Sequence, residues 1–143
     1  MNVLLISCYE LGHQPYGVAS AGAHLLAGDR HQVECLDLAV EVLDEAKVRR
    51  ANFVGISTPM HTAIRLGVKA GELVRGLNPQ CHICYFGLYA SLNEDYLLDG
   101  LADSVIGGEF ETPLTQHLDC LAENGPPRPG GVSRADLRSP PNL

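Results

Sequence analysis

Basic residues are scarce in this chain. Ten Lys and Arg stand against 17 Asp and Glu, giving a formal charge of −7. A partner that offers a phosphate backbone calls for a clustered basic surface, and here only Arg49-Arg50 fall together, so nucleic acid is excluded as a partner. No secretory signal or membrane span is visible: the first apolar run, Val3 to Ile6, is far shorter than either and has no basic flank. The five cysteines are odd in number and lack a disulfide-framework spacing, which points to a reducing, cytoplasmic setting. Cys81 and Cys84 form a CxxC, but within an apparent strand. Residues three apart on a strand face opposite ways, so this pair cannot share a metal.

What is present suffices for one domain. The 143 residues are 45% hydrophobic and 19% charged. Apolar runs Val3–Cys8, Phe53–Ser57 and Cys81–Phe86, with weaker ones at Val33–Asp37 and Ser104–Ile106, read as strands. The first is continuous, as in a strand covered on both faces; the Phe53 run alternates in part, which suits a strand nearer an edge. Helical periodicity fills the gaps at about Val18–Ala27, Asp44–Arg50, Thr62–Leu77 and Leu92–Leu98, and from Phe110 through Leu114, Leu118 and Leu121 to Asn124. The alternation predicts an α/β fold: a flavodoxin-like, doubly wound, five-stranded parallel sheet in the order 2-1-3-4-5. Residues 1–124 form this domain, and the Pro/Gly-rich stretch 125–143 reads as a linker or tail that leads to a further part of a longer chain.

Ligands of open α/β sheets sit beyond the carboxyl ends of the strands. The candidate site is therefore the set of loops there: His13, Pro15 and Gly17 after the first strand, Ser57, Thr58, Met60 and His61 after the third, Gly87, Leu88 and Tyr89 after the fourth, and Gly107, Gly108 and Glu109 after the fifth. The glycines would let backbone approach a ligand, and Ser57 and Thr58 offer hydroxyls to it. On this reading, enlarging Gly87 or Gly108 harms the ligand more than the fold. Each residue also has a plain reading, as turn former, cap or core. His13, His61 and Glu109 include acid–base candidates with no identifiable partner. No GxGxxG, Walker loop or GxSxG elbow is present. An acidic phosphoacceptor pocket would need aspartates after the first and third strands, where Ser7-Cys8 and Ile56-Ser57 stand.

The opening Val3–Ser7, Pro15-Tyr16-Gly17, Val54–Ser57 and Ala102–Glu111 resemble the N-terminal cobalamin-binding domain of cobalamin-dependent radical S-adenosylmethionine proteins. Tyr9–Pro15 and Pro59–Thr62 further resemble the group with a cysteine- or selenocysteine-bearing tail. The resemblance implies cobalamin as cofactor, its corrin over the strand ends and its nucleotide tail buried between sheet and helices. It matches Ser57, Gly87 and Gly107–Glu109 to the residues that follow strands three, four and five. The DxHxxG motif that supplies a cobalt ligand is broken around His13, with Leu11 and Tyr16 in place of Asp and Gly, so no metal ligand is assigned. CxxxCxxC is absent, which leaves the iron–sulfur cluster, S-adenosylmethionine and catalysis to a C-terminal radical domain outside this chain. Two alternatives stand beside a cobalamin module: a degenerate docking domain without cofactor, and a small-molecule sensor or enzyme that uses the strand-end loops.

Overall fold

The computed structural model describes residues 1–124; the linker expected over 125–143 lies outside them. Strands β1 (Asn2–Ser7), β2 (Gln32–Asp37), β3 (Phe53–Ser57), β4 (His82–Phe86) and β5 (Ser104–Ile106) alternate with helices α1 (Tyr16–Ala27), α2 (Glu45–Arg50), α3 (His61–Leu77), α4 (Leu88–Leu92), α5 (Glu94–Leu98) and α6 (Glu111–Asn124). All pairings are parallel and the order is β2-β1-β3-β4-β5. This is the expected doubly wound, flavodoxin-like sheet.

Alternation along each strand divides the core into two layers. Val3, Leu5, Phe53, Cys84 and Phe86 pack against Val18, Ala21 and Leu25 of α1 and Leu114, Leu118 and Leu121 of α6. Leu4, Ile6, Val54, Ile56, Ile83 and Tyr85 pack against Val48, Ile64, Val74, Ala90 and Leu97 of the other four helices. Cys81 joins the second layer and Cys84 the first, so the CxxC does face both ways. Burial pushes the Cys81 thiol up to about 11 and the Cys84 thiol to about 12, which leaves both as inert core groups.

Three local expectations are corrected. β3 is central rather than near an edge, and all five of its residues are buried. Its partial alternation comes from Gly55, whose missing side chain is replaced by Leu5 and Phe86: a Cβ there would lie 2.9 Å from Leu5 Cδ2 and 3.2 Å from Phe86 Cε1. Leu88-Tyr89-Ala90 is not a loop, because α4 begins directly after Gly87. The single helix expected over Leu92–Leu98 is two short ones that meet at Asn93, whose Nδ2 donates to Tyr89 O at 2.8 Å.

Helix ends follow local chemistry. Asp44 caps α2 by accepting from Lys47 N at 3.2 Å. α3 stops at Asn78 before Pro79, and Asn78 Nδ2 donates to the carbonyls of Val48 and Ala51, tying the end of α3 to the end of α2. Across the other face, Ser20 Oγ donates to Glu111 Oε1 at 2.9 Å, and His31 Nε2 lies 2.9 Å from Asp119 Oδ1, joining α1 and the start of β2 to α6.

Candidate functional site

All the strand-end residues singled out above lie along the carboxyl edge of the sheet, but they divide into two groups. The first is consumed by the fold. Thr58 is fully buried; its N–H and Oγ1 both donate to Phe86 O, at 2.8 and 3.0 Å, and its carbonyl accepts from Tyr89 N. Thr58 therefore clamps β3 to β4 and α4. Gly87 (φ +111°) lies against that clamp, where a Cβ would be 3.1 Å from Thr58 O. A substitution at Gly87 therefore strikes the fold first, contrary to the expectation from sequence. Gly17 admits Ser57, whose Oγ would be 3.0 Å from a Cβ there, and Gly107 admits the side chain of Ser91. These glycines serve close approach within the chain.

The second group is open to solvent. His13, His61, Leu88, Gly108 and Glu109 are exposed, and Pro15, Met60 and Tyr89 half-buried. His61 and Tyr89 meet edge to face at 6.4 Å. A Cβ at Gly108 (φ +66°) or Gly12 (φ +77°) would meet no atom within 4 Å.

Two loops at this edge expose apolar side chains: the Tyr9–Gly17 loop already expected at the site, and the loop after β2, which was not among the expected positions. After β1, His13 N donates to Glu10 O at 2.9 Å, closing a turn with positive φ at Leu11 (+54°) and Gly12. Left-handed backbone at a leucine costs about 1–2 kcal/mol, and this one holds Leu11 64% exposed at the loop tip. Tyr16 follows at 75% exposure. After β2, Asp37 organises a turn: Glu41 N donates to Asp37 O at 2.8 Å, and Asp37 N to Glu41 Oε2 at 2.9 Å. That turn leaves Val40 and Val42 at 80% and 88% exposure. With Leu88 and Leu92 of α4, also exposed, these residues make an apolar rim. They follow β2, β1 and β4, strands that span three strand spacings or roughly 14 Å of the sheet. The sequence signal was a Val-x-Val inside a segment with neither helical nor strand periodicity.

The space that the resemblance assigns to a buried nucleotide tail is filled by protein. The Phe86 and Phe110 rings meet at a tilt of 52° with centroids 4.8 Å apart, between sheet and α6. A Cβ at Gly17 would lie 3.0 Å from Ser57 Oγ and 3.7 Å from Phe110. At the start of α1, where an anionic group would gain most from the free N–H groups, Glu10 Oε2 already accepts from Tyr16 N at 2.9 Å. The residues present do not fit a tail buried here. Among the described residues, no three His, Cys, Asp or Glu side chains converge on a possible metal position. No helix among them is long and apolar enough to cross a membrane.

The chain thus has the architecture of the flavodoxin-like class. No family model matches it, and no curated protein does. Among solved structures, it is similar to a CheY-like response regulator receiver domain protein from Methanospirillum hungatei JF-1. The TM-score is 0.55 at 17% identity, over 87% of this chain and 98% of that one. A response regulator protein from Burkholderia pseudomallei, with a phosphorylated aspartic acid, calcium and citrate, aligns at TM-score 0.49 and 17% identity, over 87% of this chain and 72% of that one. These likenesses concern the fold. At the strand ends, β1 closes on Ser7 and β3 on Ser57, both buried, with no aspartate at either position.

Proposed function

We propose that this chain is a binding module without chemistry of its own, and that it docks a partner protein through the apolar rim at the carboxyl edge of its sheet. The observation that carries this reading is Leu11: an apolar side chain held in solvent by strained backbone, on the same edge as Val40, Val42 and Leu88. Strain at an exposed apolar tip is the kind of local cost that persists where a partner repays it, and exposed apolar side chains at the ends of several strands on one edge are the material of an interaction surface. The Thr58 hydroxyl and the close-approach glycines Gly17, Gly87 and Gly107 are already engaged within the chain, which favours a protein face over a buried small molecule.

A second reading keeps the cofactor. Cobalamin, in a parent radical S-adenosylmethionine protein, would lie on the outside of the same rim, its ring over the open backbone at Gly12 and Gly108 and beside His13 and His61. That open backbone supports it; the filled space beneath Gly17 weighs against it.

One pair of measurements separates the two. Under the docking reading, hydroxocobalamin keeps its free visible spectrum when mixed with the protein. Immobilised wild type retains a partner from its source-cell extract that a Leu11→Ser/Val42→Ser variant of equal helical content does not. A saturable spectral change that Leu88→Glu abolishes would install the cofactor reading instead. Equal retention of the partner by wild type and the rim variant would refute docking through this edge.

A further inference from the structure

The opposite, amino edge of the sheet holds a cavity of about 520 Å³, a size typical of small-molecule sites. It is built where α2 ends, β3 and β4 begin and α6 passes over, and its walls include Arg49, Arg50, Asn78, Gln80, His82 and Leu121. In a chain of formal charge −7, Arg49 and Arg50 both line this cavity, and no Asp or Glu among the described residues does. Helix C-termini normally make this edge negative. Here the last carbonyls of α2 are occupied, because Asn78 Nδ2 donates to Val48 O and Ala51 O.

The two arginines differ in availability. Arg50 is committed to Glu34, with Nη2 2.7 and 2.9 Å from the two carboxylate oxygens. Arg49 is held only loosely, 3.7 Å from Glu45 and 3.5 Å from Leu77 O. At the wall, His82 is 4% exposed and stacks on Phe53 at 5.3 Å, and its Nδ1 has no hydrogen-bond partner.

We propose that this cavity binds a small organic anion, with Arg49 as the charge that receives it and the Leu121–Ala122 side as the surface for its apolar body. The site is independent of the carboxyl edge and of what docks there. The test uses the full, ¹⁵N-labelled chain titrated with phenyl phosphate, and in parallel with phenol, reading amide shifts. Phenyl phosphate moves the amides of Ala51, Asn52, Gln80, Cys81 and His82 to saturation, and phenol leaves them in place. Arg49→Gln weakens binding about tenfold, the loss of one charge-assisted bond. Glu34→Gln releases Arg50 and tightens binding about threefold, the scale of a surface charge contact. Ala122→Phe, at an exposed lining position, blocks the cavity while keeping both arginines, and Leu11→Ser at the far edge changes nothing. The proposal is overturned by shifts that never saturate, by shifts centred on another face, by an equal response to phenol, or by wild-type affinity in Arg49→Gln.

Discussion

Acid should unfold this domain through one histidine pair. His82 and His117 are 4% and 8% exposed, with their Nε2 atoms 3.2 Å apart and Ser104 Oγ 2.8 Å from that of His82. Burial, and then the neighbouring imidazole, push His82 down from 6.5 to about 4; Asp103 opposes this and Arg75 adds to it. Burial lowers His117 as well. Above pH 6.5 both folded and unfolded chains carry these rings neutral, and no stability is lost. As pH falls below that, the unfolded chain takes up a proton that the folded one refuses until about pH 4. For His82 alone, the difference in proton uptake between pH 8 and pH 5 removes about 2 kcal/mol, out of a total of roughly 5–15 kcal/mol for a domain. The assay is urea denaturation followed by circular dichroism at half-unit steps of pH. The comparison is with His82→Phe, which keeps the stack on Phe53 and cannot titrate. That variant loses the bond to Ser104 and starts lower at neutral pH, so the slopes carry the result rather than the midpoints. Parallel stability curves for wild type and variant between pH 8 and pH 5 would refute the reasoning.

Gly55→Ala should cost about 1–3 kcal/mol by overpacking, because the new methyl meets Leu5 at 2.9 Å from one strand and Phe86 from the other; thermal melts measure it. Gly87→Ala should destabilise at least twice as much as Gly108→Ala. Both positions have positive φ, but only Gly87 faces backbone, at Thr58; urea midpoints of the two variants decide it. Thr58→Val should lose about 1 kcal/mol for its bond to Phe86 O, read from the same curves. Ellman's reagent should label Cys35 and Cys120 quickly in the native protein, and Cys8, Cys81 and Cys84 only on unfolding. Fast labelling of a third thiol would contradict the packing.

The topology was legible because it rests on period and order. The continuous Val3–Ile6 run read as a strand covered on both sides, and it lies between β2 and β3. The α3 stop at Asn78-Pro79 was local chemistry and stood where expected. What escaped depends on partners far away in sequence. Whether Gly17 makes room for a ligand or for Ser57 is decided 40 residues away, and no motif records it. The same holds for Gly107, which receives Ser91. His117 shares the apolar stripe of α6 with Leu114 and Leu118, so its periodicity reads as core while its chemistry comes from His82. The Arg49-Arg50 pair was visible as the one cluster of basic residues, but the cavity beside it is assembled from four separate chain segments between Met1 and Ala122.

The pairing of α1 with α6 also sets a constraint on synthesis. Helix α1 is complete at Ala27, yet Leu114, Leu118 and Leu121, which share its core layer, arrive only with Glu111–Asn124. At about 5–20 residues per second, Val18, Ala21 and Leu25 wait roughly 4–17 s on the ribosome with that side of the layer uncovered. The other four helices reach their face of the sheet in chain order, each soon after its strand. The nascent chain therefore passes through a one-faced sheet, with α1 as the exposed flank most in need of a chaperone, until α6 emerges and closes over it.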